Sequence, residues 1–174
     1  MTVNVTAGAR MYIGPEIEVD PINAYELDGN DSAVMAIFEA ITEGDWTEIL
    51  EIESFGDLGD NSDVTTFTAV NNRRVRKFKT TRDAGTMAIV CGVDEVDEGQ
   101  LAMIAAEKTD QDYAFKIIYN DARSETYSPT TDYFGGMVLS RPKNLGSVTD
   151  ITKRTFNLAV NTAVFTDETD PTGS

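Results

Sequence analysis

Apolar positions fall mostly into short runs of period two, interrupted by Gly, Asn, Asp and Pro, with two stretches of helical period. The densest pattern spans 83–119. Met87 to Val93 is short, apolar and bounded by Gly85 and an acidic cluster, which predicts a buried strand. Asp97 followed by Gln100 is a capping-box spacing, in which the Asp carboxylate accepts from backbone N–H groups of the first helical turn. Leu101, Ile104, Ala105 and Lys108 then fall at i, i+3, i+4 and i+7, so a helix over 97–108 is expected to dock that stripe on a sheet. Tyr113, Phe115, Ile117 and Tyr119 alternate and predict a second strand.

The remaining pattern is shorter in wavelength. Met11-Tyr12-Ile13 predicts a strand ended by Gly14-Pro15, and 16–30 reads as loop. Val34, Ile37, Phe38 and Ile41 follow Asp31 or Ser32 as N-cap and precede Gly44, predicting a helix over 32–42. Strands are expected over 46–55, 64–70 and 75–81, with a loop at 56–62 and a turn at Asn71-Asn72. A connection over 124–132 leads to a strand at 133–140, where Gly135-Gly136 predicts a bulge or a close backbone approach. After a turn at 144–146, Val148 to Val160 reads as a long last strand ending near Phe165. The expected architecture is mainly β, a sandwich or barrel-like sheet with one flanking helix at 97–108 and a second in an insert. One domain over 1–174 is expected, with a flexible arm at 1–10 and a tail at 166–174.

Composition sharpens this in three ways. At 174 residues, 41% hydrophobic and 25% charged, the chain can bury a proper core. It has no histidine, one cysteine and no phosphate-loop, nucleophile-elbow or CxxC pattern, so a non-enzymatic protein without cofactor or metal is expected. Cys91 sits inside an apolar strand and reads as a small buried hydrophobe, and no disulfide framework is possible. The first ten residues lack a basic, apolar leader, and no stretch is long enough to span a bilayer, so membrane insertion is not expected.

Charge is the most uneven feature. The net charge is −16, with 15 acids and no Lys or Arg between residues 16 and 63. Arg73, Arg74, Arg76, Lys77, Lys79 and Arg82 then form one compact basic run. Three readings remain open: pairing or solvation within one subunit, a heterologous contact between copies, or a nucleic-acid patch, which the overall charge opposes. Asp57, Asp60, Asn61 and Asp63 lack the spacing of a calcium loop, and Asp94, Glu95, Asp97 and Glu98 suit a helix N-terminus.

Several stretches in order resemble the major tail tube proteins of long, non-contractile-tailed bacteriophages. They are Met11-Tyr-Ile-Gly14, Trp46 to Gly56, Asp63 to Phe67, the basic run 73–79, Thr81 to Thr86, Asp97 to Leu101, Tyr113 to Ile117 and Phe134 to Ser140. The resemblance implies a β-sandwich or barrel-like fold, related to type VI secretion tubes. It further implies hexameric rings stacked into a hollow tube whose acidic lumen passes DNA during ejection. The implied partners are further copies of the chain and tail-tip initiator, tape measure and terminator proteins. The implied location is the virion tail, assembled in the host cytoplasm. The acidic insert at 15–45 departs from the family pattern.

Within that reading, Glu48, Glu51 and Glu53 are lumen candidates, with Glu51 and Glu53 on one strand face. Phe55, Gly56, Asp57 and Leu58 in the following loop, and Arg73, Arg74, Arg76, Lys77 and Lys79, are subunit-interface candidates. The alternative is a β-sandwich carbohydrate-binding module, which would gather Tyr25, Tyr119, Tyr127 and Tyr133 on one open face. A carboxylate-based hydrolase would instead need a deep cleft with two acids in different environments.

Overall fold

The structure, a computed structural model, describes residues 6–18, 31–71, 73–122 and 125–168. Most of the loop expected over 16–30, half of the arm 1–10, Asn72 of the expected turn, and residues 169–174 of the tail lie outside that description. The fold is mainly β. The strands are β1 (Arg10–Glu16), β2 (Thr47–Ile49), β3 (Ile52–Ser54), β4 (Asn61–Thr68), β5 (Val75–Asp83) and β6 (Thr86–Gly92). They continue as β7 (Tyr113–Ile118), β8 (Thr131–Ser140), β9 (Lys143–Asn144), β10 (Lys153–Val160) and β11 (Phe165–Asp167). The helices are α1 (Asp31–Glu39) and α2 (Glu98–Glu107), with a 3-10 turn at Glu43–Asp45.

One nine-stranded sheet runs in the order β2-β1-β7-β8-β10-β6-β3, with β11 added to β8 and β9 to β10. Its pairings are antiparallel, Met11 opposite Ile117, Phe115 opposite Phe134, and Phe156 opposite Ile89. The two ends of the path, β2 and β3, are joined only by Leu50 and Glu51, so the sheet curls until its edges meet at that corner. Met11, Ile13, Ile49, Met87, Ile89, Phe115, Phe134, Phe156 and Leu158 fill the inside of the curl. The alternation along β10, with Arg154, Phe156, Leu158 and Val160 buried, is the period-two signature of a half-covered strand.

The central strand departs from it. Ala114, Phe115, Lys116 and Ile117 of β7 are all buried, because a second cluster of Ile17, Phe38, Trp46, Ala114 and Phe165 covers the outer face of this sector. The acidic insert therefore supplies part of the cover for the sheet, through Ile17 and through Phe38 of α1, beside Trp46. Lys116 is carried into this cluster with its ammonium 4.7 Å from the Trp46 ring centre and 4.9 Å from that of Tyr12, and it donates to Glu43 at 3.3 Å. A lysine in the middle of an apolar strand was the only hint of this in the sequence.

Several expectations need correction. Gly14-Pro15 does not end β1. A register shift between Ile13 and Glu16 absorbs the proline, and Gly14 leaves room for Trp46, whose ring would lie 2.8 Å from a Cβ at that position. The strand expected over 46–55 is broken at the corner, where Glu51 has φ +57, so Glu51 and Glu53 do not share one face of a continuous strand. The last long strand begins at Lys153, with Val148 and Ile151 exposed in a preceding loop closed by Asp150 on the Ser147 N–H. The docking face of α2 is also displaced: Gly99, Gln100, Met103 and Ala106 are buried, whereas Leu101, Ala105 and Lys108 face outward. Small residues at 99 and 106 bring the helix close, which the size of Leu101 had obscured. Likewise α1 ends at Glu39 rather than at 42, and it buries Phe38 but leaves Ile37 exposed.

Candidate assembly interface

Two regions carry the chemistry, and they sit at opposite ends of β6. At its C-terminal end α2 is fastened to the sheet corner. The Asp97 carboxylate accepts from Gly99 N at 3.3 Å and Gln100 N at 3.0 Å, which is the expected cap, and also from Leu50 N at 3.1 Å. Gln100 does not close a reciprocal box. Its amide donates to Gly92 O at 2.8 Å and Leu50 O at 3.4 Å, and its carbonyl accepts from Asp94 N at 3.3 Å. A side chain chosen for helix capping thus joins three backbone segments, and Gly99 lies directly on the Glu48 carbonyl.

At the other end of β6, β4 and β5 form a separate two-stranded ribbon. Every residue of β5 is exposed, as is every residue of β4 except Ser62. The register places Phe67 opposite Arg76 and Phe78 opposite Thr65, so both phenylalanines share a face with Arg76. Val64, Thr66, Val75, Lys77 and Lys79 share the other. Phe67 is 56% exposed, Phe78 50% and Val75 54%. Among the described residues, Arg76, Lys77 and Lys79 have no acidic partner within 4 Å, and Arg82 reaches Asp60 only at 3.9 Å. A lone two-stranded ribbon is marginal in water, and apolar groups on both faces are the mark of a surface waiting for a partner.

The other candidate positions are distributed differently. Phe55 and Leu58 pack against the inner core, and Gly56 lies so close to β6 that a Cβ would come within 2.6 Å of Ala88 N; only Asp57 of these four is exposed. Glu48 lies opposite Tyr12, on the outer face shared with Lys116. Glu53 is bound to Lys153 at 2.6 Å, and Glu51 turns the corner. The aromatic platform of a sugar-binding module is not assembled among the described residues. The Tyr119 hydroxyl donates to Asp132 and its ring packs on the inner core, whereas Tyr133 packs with Phe38 and Trp46 on the outer face. Tyr25 lies outside the described residues.

Arg154 is a residue that sequence reasoning passed over. It is 2% exposed at the end of the inner face, with Nη2 3.7 Å from Glu95 and with Nε and Nη1 lacking partners among the described residues. Burial, together with the Asp97 charge, pushes the neighbouring Cys91 thiol up to about 12.

A curled sheet plugged by one capped helix, with a ribbon extending from its end, matches solved tube components over nearly its whole length. A chain of the anti-feeding prophage baseplate superposes with TM-score 0.62 at 10% identity, covering 97% of this chain and 98% of that one. The sheath/tube terminator of the extracellular contractile injection system PVC gives 0.63 at 13% identity, with 96% and 98% covered. The SPP1 tail tube gives 0.60 at 12% identity, with 94% and 78% covered. This chain has the tube-protein fold. No protein-family profile and no curated protein matches it, so the likeness lies in the backbone and not in shared residues.

Proposed function

We propose that this chain is a structural, non-enzymatic subunit of a phage tail tube or a related injection tube, which self-assembles into stacked rings. The observation that carries this reading is the β4–β5 ribbon: basic, apolar on both faces, and exposed along almost its whole length, on a chain whose backbone is that of tube proteins. Residues 61–83 hold six basic and two acidic side chains, and the rest of the chain holds eight basic and 28 acidic ones. Copies of such a molecule attract one another ribbon to body, and a heterologous contact of that kind closes into rings or propagates as a tube.

Six subunits per ring is the stoichiometry we assign, in keeping with the 6-fold symmetrised baseplate whose chain shares the fold. The net charge of −16 suits a lumen that conducts DNA without binding its phosphates. Exposed Glu51 remains our choice for that lining; Glu53 contributes less, because Lys153 neutralises it, and Glu48 lines the groove beside α2 instead. Tail-tip, tape measure and terminator proteins are the partners this role requires, and the virion tail is its location. Negative-stain electron microscopy with light scattering tests the proposal. Rings or hollow tubes are expected, from the protein alone or after addition of tail-tip complexes. Monomers under both conditions would refute it.

A further inference from the structure

The ribbon needs a receiving surface, and one groove of the same molecule has matching chemistry. It lies where the 3-10 turn and β2 meet the loop leading into α2, and it encloses about 490 Å³. Its lining includes four acids, Glu48, Asp94, Asp97 and Glu98, and no basic residue. Two aliphatic side chains are exposed on it, Leu50 at 46% and Val96 at 82%. Asp97 is committed to the α2 cap, but among the described residues neither Glu48 nor Glu98 has a basic partner within 4 Å. Exposed aliphatic groups ringed by unneutralised carboxylates are the complement of exposed phenylalanines beside an unneutralised guanidinium.

Placement and exposure together point to a contact between copies. The ribbon ends at Asp83, three residues before β6 begins at Thr86, and the groove opens just after β6 ends at Gly92. Seven residues of strand separate the two by roughly 20 Å. The antiparallel partner β10 agrees: its Ala159 lies at the ribbon end and its Lys153 at the groove end. The subunit's own ribbon stays exposed along its length, so it does not occupy the groove.

We propose that this groove receives the β4–β5 ribbon of a second copy, with Phe67 and Phe78 against Leu50 and Val96, and Arg76 against Glu48 and Glu98. The proposal rests on the self-assembly reading and makes it specific: the joint is head to tail along the direction of β6. It gives the acidic loop before α2 a task beyond helix capping, and it explains why Val96 stands exposed among acids.

A charge-swap experiment tests it. Arg76→Glu makes the ribbon repel the native groove, and Glu48→Lys/Glu98→Lys makes the groove repel the native ribbon. Each variant alone should raise the concentration for half-assembly by about tenfold or more, with its thermal melting unchanged. An equimolar mixture should restore assembly, because every joint then pairs opposite charges. As a check independent of those charges, Phe78→Cys and Val96→Cys subunits mixed under oxidation should form a disulfide-linked dimer, since native Cys91 is buried and stays a thiol. If the groove variant assembles like the native protein, or the mixture gives no rescue, the ribbon docks elsewhere and self-assembly alone stands. A native protein that never associates, even with tail-tip complexes, overturns both.

Discussion

The two ends of β6 are built on opposite principles. At the α2 end, the polar groups at the corner find partners inside the subunit. Asp97 accepts three backbone N–H groups, and Gln100 joins Leu50, Gly92 and Asp94. At the ribbon end, β4 and β5 bond to each other and to little else, and their phenylalanines stand half in water. One end holds the fold; the other has been left out of it. A chain of this size does not need an exposed ribbon to be stable, so the ribbon's sequence answers to something outside the subunit.

Stability experiments can break that contrast. The largest effect is expected at Gly99, where a methyl group would meet the Glu48 carbonyl and backbone would have to move. Gly99→Ala should lower unfolding free energy by about 3 kcal/mol or more in urea titrations, and the contrast fails if it is tolerated. Asp97→Ala removes a helix cap and strands the half-buried Leu50 N–H, so a loss of about 2–4 kcal/mol is expected. A smaller effect is tied to pH. The Cys91 thiol is raised from 9.0 to about 12 in the fold, so its contribution is complete below 9 and drains away as pH climbs towards 12, when only the unfolded chain ionises freely. At pH 8 a thiol reagent should label Cys91 only through unfolding, at a rate that rises with reagent concentration and then levels off at the unfolding rate. The smallest effect belongs to the ribbon: Phe67→Ser/Phe78→Ser should leave subunit stability within about 0.5 kcal/mol while abolishing assembly. A large loss of stability there would mean the ribbon is part of the core after all.

What the sequence revealed follows the same division. The β6–α2–β7 framework was legible because its residues answer to local rules: a cap at Asp97, a period of two in the sequence of β7, and an apolar run bounded by Gly85 and an acidic cluster. The ribbon strands were legible from their Val, Thr and Phe content, and their charge offered a contact between copies as one of three readings. The sheet corner was hidden, because Leu50–Glu51 looks like strand on either side and only pairing to opposite ends of the sheet forces the break. The face of α2 was misread because its burial depends on Gly99 and Ala106, which carry little hydrophobic signal. Lys116 was hidden for the converse reason: its burial requires Trp46 and Tyr12 to converge on the face opposite the main core. The acidic groove was legible only as a capping sequence, since its partner belongs to a different molecule.

The central claim is that a second copy completes the ribbon. Amide hydrogen exchange, read by mass spectrometry on free and on assembled subunits, addresses it most directly. Peptides covering 61–83 should exchange almost at once in the free subunit, while α2 and β6 stay protected. On assembly the ribbon and the 94–98 loop should slow together, by about 100-fold, with little change elsewhere along β7 and β8. A ribbon already protected in the free subunit, or one that exchanges equally fast in both states, would contradict the account.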